Sequence, residues 1–428
     1  MITKDYVQNL DKKDPLNKYV HQFVRTDEDL CYLDGNSLGR LPKKTVEVIN
    51  NFLLNEWGKE LVSGWNAWID EAQRVGDLLA ESALGASKGQ ILATDTTSIN
   101  FYRACIAAIK LNPGKKTIIA DEANFPTDRY IIQEIAKELN LNLVTIKNDI
   151  DLDLNGKYNN ENELITPDIL KKYLTKDVCL VTLSVVQYRS GALNNVKQLT
   201  ELIHANDSIV VWDASHAIGV VDLNFDKDNV DFAIGCTYKY GNSGPGSPAW
   251  IYINKKIQDK ANLPINGWFA QKDQFLMGSK FHQAEGMRGF QIASPSILGL
   301  RCVKTSFEMI KEASIKEISK KAEIGTEMMI SMFDELLAPL GFELTTPRDK
   351  NSRGGHISIF HKDADKIARG LRIEKNVIPD YRVPNCIRLA ISPLTNTYQE
   401  IFEGFLRIHD YVKSGNYKNL GNPESEVT

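Results

Sequence analysis

Short, continuous apolar runs alternate along the first two thirds of the chain with segments whose apolar residues recur every three or four positions. The continuous runs predict buried strands, and the three-and-four spacing predicts amphipathic helices. Predicted strands lie within 115–123, 141–149, 177–186, 208–213, 231–235 and 250–256, and predicted helices within 45–61, 69–84, 127–139 and 166–174. This alternation indicates a mostly parallel sheet, which binds ligands beyond the carboxyl ends of its strands.

The order of elements changes at about residue 300, where two helices, a strand within 353–360, a helix, a strand within 385–391 and a terminal helix follow one another. A chain of 428 residues is long for one hydrophobic core. We therefore predict an α/β protein with a mostly parallel-sheet large domain and a smaller α+β C-terminal domain. The predicted boundaries are 1–50 for an N-terminal arm and loop, 51–298 for the large domain and 299–428 for the small one.

Composition narrows the class of protein. Hydrophobic residues make up 43% and charged residues 25%, which is ordinary for a globular protein, and the net charge of -4 argues against nucleic-acid binding. The sequence has no apolar run long enough to span a membrane, and its charged first thirty residues resemble no signal peptide, so we expect a cytoplasmic protein. Six cysteines are scattered singly, which favours neither a metal site nor a disulfide framework.

Candidate chemistry begins with the segment GCTYKYGNSGPGS at 235–247. Lys239 follows the apolar run 231–235, so it should leave the end of a strand and enter a confined site. Burial lowers the pKa of an ammonium group and frees the amine as a nucleophile. The glycine-rich turn after it lets backbone approach a bulky ligand closely. A polar lysine before a glycine turn is also common without any function.

A second strand changes this balance. The apolar run 208–213 ends in Asp213, and a turn of small residues then leads to His216. Pyridoxal phosphate needs a carboxylate beside its pyridine nitrogen and an amine for its aldehyde, which Asp213 and Lys239 can supply from two strand ends. The pair therefore favours a pyridoxal-phosphate site.

The segment 89–110 predicts a short strand, a hydroxyl-rich turn and a helix. Thr96, Thr97 and Ser98 would stand at the positive end of that helix, where a phosphate binds well. Simple capping of the helix by Asp95 or a threonine is the alternative. Residues 125–128 and 184–191 fall at two further strand ends, where Phe125 could stack on a flat ring or cover the core.

Taken together, these segments resemble the kynureninase family, pyridoxal-phosphate enzymes with the fold of aspartate aminotransferase (fold type I). The similarity runs along nearly the whole chain. It rests on motifs in the family's order and spacing: YLDGNSLG at 32–39, FPTD at 125–128, DASHAIG at 213–219, GCTYKY with GPGS at 235–247, GWF at 267–269 and IRLA with PL at 387–394.

The resemblance implies hydrolysis of L-kynurenine to anthranilate and L-alanine in tryptophan catabolism or NAD biosynthesis, with 3-hydroxykynurenine, which would give 3-hydroxyanthranilate, left open as a second substrate. Lys239, Tyr238 and Asp213 would be catalytic, with Tyr238 carrying a proton. The residues implied around the pyridoxal phosphate are Thr97, Ser98, Phe125, Pro126, Thr127, Asp128, Ser184, Asp213, His216, Tyr238, Lys239, Trp268 and Ser294. The family is dimeric, so we expect a homodimer in which residues 281–295 reach the neighbouring subunit's phosphate.

Arg388 matches the arginine that holds the substrate carboxylate in this family. It also lies in an apolar strand, where an unpaired guanidinium is costly to bury, so an anionic partner is expected from chemistry alone. That partner is either the substrate carboxylate or a structural one such as Asp380. In the second case Arg382 is the next candidate for the substrate.

Three other functions remain open. A cysteine desulfurase or selenocysteine lyase would share Lys239 and Asp213 but needs a mobile cysteine, and the loop 345–355 has none, while Cys386 lies in a predicted strand. A related enzyme acting on another amino acid is the second, because Gly241, Ser294 and the segment after Arg388 depart from the family pattern. A non-catalytic protein of the same fold is the third.

Overall fold

The computed structural model describes residues 2–147 and 163–421. It contains a seven-stranded sheet, a four-stranded sheet and a two-stranded sheet, with helices packed around them. The end of the strand predicted over 141–149 and the polar tail from residue 422 lie outside the described residues. No helix of the described ranges is long and apolar enough to cross a membrane.

The strands, in chain order, have the following bounds: β1 Cys31–Tyr32, β2 Ile91–Ala93, β3 Thr117–Asp121, β4 Asn142–Ile146, β5 Val178–Ser184, β6 Ile209–Asp213, β7 Phe232–Gly235, β8 Trp250–Ile253, β9 Glu343–Leu344, β10 His356–Phe360, β11 Val377–Ile378, β12 Asp380–Arg382 and β13 Cys386–Ala390.

The α-helices have the following bounds: α1 Lys4–Lys13, α2 Asn17–Val20, α3 Lys43–Asn51, α4 Gly58–Glu60, α5 Trp65–Trp68, α6 Glu71–Leu79, α7 Thr97–Leu111, α8 Pro126–Glu138, α9 Pro167–Lys171, α10 Val196–Ala205, α11 Lys255–Gln258, α12 Ile297–Ala313, α13 Ile315–Met332, α14 Ala364–Glu374 and α15 Tyr398–Ser414. π-Helical turns at Phe52–Trp57, Ala80–Leu84 and Phe333–Leu337 extend α3, α6 and α13.

The large sheet has the strand order β2-β8-β7-β6-β5-β3-β4. The five adjacent strands β4, β3, β5, β6 and β7 run parallel, and β8 is antiparallel to both of its neighbours, β7 and β2. Apart from the edge strand β4, of which only Ile146 is buried, these strands are apolar and almost wholly buried because helices cover the sheet, as parallel sheets require. The predicted α/β class with a mostly parallel sheet is confirmed, and the carboxyl ends of β5, β6 and β7 lie next to one another.

The N-terminal arm packs against the C-terminal part of the chain. Strand β1 pairs in parallel with β11, and the Asp11 carboxylate accepts hydrogen bonds from the backbone N–H groups of Tyr398 and Gln399 at the start of α15. The four-stranded antiparallel sheet β12-β13-β10-β9 stands over a second hydrophobic cluster that includes Val7 and Leu33. Helix α12, by contrast, buries its apolar face in the cluster under the large sheet. The domain boundaries stay a prediction.

Candidate active site

A cavity of about 360 Å³ opens beyond the carboxyl ends of β6 and β7. This volume suits a small ligand. Its wall joins the first turns of α7 and α8, the loop 34–39 and the strands β12 and β13. The residues that line it are Asn36, Ser37, Thr96, Thr97, Ser98, Phe125, Thr127, Asp128, Tyr188, Asp213, Ser215, His216, Cys236, Tyr238, Lys239, Gly246, Ser247, Ala249, Arg382 and Arg388.

Lys239 lies four residues after the end of β7 and is half-buried in this wall. Its Nζ atom is 3.1 Å from both ring nitrogens of His216 and 5.9 Å from the ring centroid of Phe125. Burial lowers the pKa of the Lys239 amine, and the nearby Arg388 and Arg382 guanidinium groups act in the same direction. The fraction of neutral, nucleophilic amine is therefore higher than for a solvated lysine.

Two acidic side chains face one another on the other side of the cavity. Asp213 ends β6, and its Oδ1 atom accepts a hydrogen bond from the Ser215 backbone N–H at 2.7 Å. Asp128, in the first turn of α8, is buried, and burial followed by the neighbouring Asp213 raises its pKa well above the ordinary value. The Oδ2 atom of Asp128 has no hydrogen-bond partner among the described residues. The two carboxyl groups can bond to one another only through a shared proton, so this pair can accept a cationic N–H.

The hydroxyl-rich turn before α7 forms one end of the cavity. Thr96 caps the helix by accepting a hydrogen bond from the Ile99 backbone N–H at 3.4 Å, which is the capping role that the sequence left open. Thr97 and Ser98 follow in the first turn, where backbone N–H groups have no intrahelical acceptor and attract anions. Gly246, with φ at +72°, closes this end in a left-handed conformation that favours glycine.

Arg388 is 1% exposed and extensively paired. Its Nε donates to the Asp380 carboxylate, its Nη1 donates to the Tyr188 carbonyl at 2.6 Å and lies 3.4 Å from His216 Nε2, and its Nη2 donates to the Ser37 hydroxyl at 2.9 Å. The structure thus contains the Arg388–Asp380 ion pair that the sequence analysis named as the alternative. Because Arg388 also lines the cavity, the ion pair alone does not remove it from the site.

Several residues that sequence reasoning did not assign to the site line the cavity, namely Asn36, Ser37, Tyr188, Ser215, Cys236, Gly246, Ser247 and Ala249. Arg382, named from the sequence only as the next candidate after Arg388, lines it too. Asn36 and Ser37 belong to the motif at 32–39, which the sequence analysis named only as a motif of the family resemblance. In the amide orientation that satisfies both groups, the Asn36 oxygen accepts from Arg388 Nη1 at 3.2 Å and Nε at 3.3 Å. The motif was the available signal for these residues.

Four residues of the predicted set do not line this cavity. Pro126 is the first residue of α8 and shapes its start. Ser184 is buried behind the wall, where its hydroxyl donates to the Asn124 side chain at 2.6 Å. Trp268 and Ser294 lie elsewhere: Trp268 packs edge-on against Phe269, and Ser294 lines an apolar groove together with aromatic residues of the segment 52–68.

The chain is similar to known proteins along its whole length. A family model described as the kynureninase C-terminal domain matches residues 318–407. A kynureninase from Shouchella clausii is 33% identical, with 99% of this chain and 98% of the relative covered. A kynureninase from Geobacillus thermodenitrificans is 32% identical with the same coverage, and one from Pseudomonas fluorescens is 30% identical over 94% of each chain.

Solved structures share the fold at lower identity. A mutant of C-DES with glycine covalently linked to its PLP cofactor has a TM-score of 0.76 at 17% identity, covering 91% of this chain and 98% of that one. The cysteine desulfurase of Thermococcus onnurineus has a TM-score of 0.74 at 18% identity, covering 93% and 98%. At these identities the likeness extends to the fold alone, whereas the sequence relatives decide the family. The chain belongs to the kynureninase family.

Proposed function

We propose that this protein is a pyridoxal-phosphate hydrolase that converts L-kynurenine and water into anthranilate and L-alanine, and that it also accepts 3-hydroxykynurenine. The observation that carries the proposal is the meeting, in one cavity, of the Lys239 amine, the Asp128–Asp213 pair and the buried Arg388. The chain's identity to kynureninases over almost its whole length supports the same reaction.

The residues present fit the cofactor. Lys239 supplies the amine that its aldehyde needs, and the Asp213 carboxylate, with Asp128 beside it, would accept the protonated ring nitrogen. The first turn of α7, with Thr97 and Ser98, would hold the phosphate, and Phe125 would cover the ring. When bound there, pyridoxal phosphate draws electrons away from the α-carbon of the substrate.

Each side chain then has a distinct task. The lowered pKa of Lys239 allows its amine to take a proton from the α-carbon once the substrate has displaced it. Tyr238 stays a neutral phenol because the neighbouring Cys236 and burial raise its pKa, so it can hold and return a proton. His216 stays neutral beside Lys239, because burial followed by the Lys239 charge keeps its pKa well below the ordinary value. The remaining step is hydrolytic, with water taken up as the carbon–carbon bond to the carbonyl is cleaved.

The positions of the cysteine thiols argue against a cysteine desulfurase. Of the six cysteines, all of them in the described ranges, five are buried and Cys302 is half-buried. Cys386 contacts the Ser358 hydroxyl at 2.7 Å, and burial raises its pKa to about 11. Cys236 lines the cavity, but burial raises its pKa as well. Neither thiol suits a mobile nucleophile, and a protein without catalysis would have no use for the tuned amine of Lys239.

We also propose that the protein is a homodimer. Apolar side chains of 53–62 and 275–277 form a surface that we term the apolar face, on which Val62 is 82% exposed and Leu276 78% exposed. Trp65, Phe269, Trp268 and Phe275 connect the two segments through edge contacts. A second copy seated there would cover the patch and bring Trp268, Ser294 and the segment 281–295 toward its own cavity.

The cellular setting follows from the reaction and the sequence. An enzyme that releases anthranilate and alanine from kynurenine serves tryptophan catabolism or NAD biosynthesis. The proposed setting is the cytoplasm, whose reducing conditions suit the six free cysteines.

The test is direct. Purified protein loaded with pyridoxal phosphate is incubated with L-kynurenine, and anthranilate is followed by its fluorescence while alanine is measured separately. We expect equimolar anthranilate and alanine from the wild type, and formation about 10²–10⁴-fold slower from Lys239→Ala. In a parallel assay with cysteine and a thiol reductant, alanine and sulfide without any anthranilate from kynurenine would instead establish a desulfurase, and a loaded protein inactive on both substrates would leave a non-catalytic role.

A further inference from the structure

The guanidinium of Arg388 has little capacity left for a ligand. A guanidinium has five N–H donors. Contacts with Asp380, the Tyr188 carbonyl, His216 and Ser37 account for four of them. A carboxylate held by a fork needs two parallel donors. Arg388 alone therefore cannot bind a substrate carboxylate in this way without giving up a contact that the fold already uses.

A second guanidinium stands beside it with more capacity. Arg382, on β12, is 39% exposed and lines the same cavity. Its Nε donates to Asp380 Oδ2 at 3.0 Å and its Nη2 lies 3.4 Å from the Ser37 hydroxyl, while its Nη1 has no partner among the described residues. The Nη2 atoms of both arginines thus contact the same Ser37 oxygen. Because they share that oxygen, the two atoms lie within the span of one carboxylate group.

The direct ion pairs around these two arginines leave one positive charge unmatched. Among the described residues, Asp380 is the carboxylate in ion-pair contact with both guanidinium groups, and it supplies a single negative charge. An incoming carboxylate that is itself desolvated in the cavity gains most where two guanidinium groups meet it with little rearrangement.

We propose that Arg382 is a second substrate-binding arginine, and that it and Arg388 bind the carboxylate of the amino-acid substrate between them. Contacts with Ser37 and Asp380 hold the two guanidinium groups side by side. The inference rests on the proposed function, because it takes the ligand to be an α-amino acid. A role for Arg388 alone makes no demand on Arg382. The inference predicts that Arg382, the more exposed of the two arginines, distinguishes ligands that have a carboxylate from ligands that lack one.

The test compares Arg382→Gln and Arg382→Lys with the wild-type holoenzyme. Arg348→Gln serves as a matched control, because its guanidinium pairs with Asp334 on the surface. The KM for kynurenine is measured together with calorimetric dissociation constants for L-alanine and for kynuramine, which is kynurenine without its carboxylate. For Arg382→Gln we expect the KM to rise and the alanine affinity to fall by about 10- to 100-fold, the range of a charge-assisted hydrogen bond.

Kynuramine affinity and kcat should change by less than about threefold, since neither depends on the carboxylate contact. Arg382→Lys keeps the charge without the planar fork and should recover part of the loss. Equal losses for L-alanine and kynuramine, or no loss for either, would overturn the inference. If the wild type forms no anthranilate while Arg382→Gln still weakens alanine binding, the proposed reaction fails and the carboxylate site stands. If the wild type forms anthranilate and Arg382→Gln binds alanine as tightly as the wild type, the proposed reaction stands and the inference about Arg382 fails.

Discussion

Replacing Arg388 with lysine separates the two roles that its position gives it. Lysine keeps a positive charge that can face Asp380, but its single ammonium cannot reproduce the planar fork that also reaches the Tyr188 carbonyl at 2.6 Å and the Ser37 hydroxyl at 2.9 Å. Leaving the carbonyl without its donor costs about 1–3 kcal/mol, and the lost hydroxyl contact about 0.5–1.5 kcal/mol. We therefore expect Arg388→Lys to lower the free energy of unfolding by roughly 2–4 kcal/mol.

The same change should raise the KM for kynurenine about 10-fold or more, because one of the two guanidinium groups that face the carboxylate is lost. Urea unfolding followed by fluorescence measures the stability, and anthranilate release measures KM. Arg348→Lys, on the surface beside Asp334, is the control and should change stability by less than about 1 kcal/mol. Lower stability with an unchanged KM would make Arg388 purely structural. Unchanged stability would refute the argument from its buried contacts.

Three further predictions follow from other parts of the molecule. Lys239→Ala should lose the visible absorption that borohydride removes in the wild type, and its kcat should fall by about 10²–10⁴-fold; turnover at the wild-type rate would exclude Lys239 from the chemistry. Asp34 has a pKa of about 6 in the folded protein against an ordinary 3.8, so as the pH rises the unfolded chain loses the Asp34 proton at a lower pH than the folded protein does. Between about pH 4 and 6 the wild type should therefore lose up to about 3 kcal/mol of stability relative to Asp34→Asn, and parallel stability curves would contradict this. Val62→Asp combined with Leu276→Asp should yield monomers in sedimentation, whereas an intact dimer would place the interface elsewhere.

The sequence predicted the elements that depend on local pattern. Apolar runs marked the strands of the large sheet, and the parallel arrangement then placed Asp213 and the turn before Lys239 at adjacent strand ends, as the pairing of β6 with β7 confirms. The helix start at Thr96 was likewise readable, because capping is a local interaction. For such features the residues that decide the structure are neighbours in the chain.

Contacts between distant segments could not be read in the same way. Ser37 and Arg388 are 351 positions apart, and no periodicity in either segment indicates that their side chains meet. The same holds for Arg382, which the sequence offered only as the next candidate after Arg388, because no local pattern indicates that β12 borders the cavity.

The loop 34–39 shows why the two parts of the site belong together. At one end, the Leu33 carbonyl accepts from the Ala390 backbone N–H at 2.8 Å, two residues beyond Arg388. At the other end, the Gly39 N–H donates to the Tyr238 carbonyl at 2.8 Å, next to Lys239. A Cβ at position 39 would lie 2.4 Å from the Lys239 carbonyl, so this approach requires glycine. The loop therefore ties the arginines to the lysine turn. A ligand whose carboxylate binds the arginines and whose amine lies at Lys239 is therefore positioned by two segments that backbone hydrogen bonds connect to the same loop.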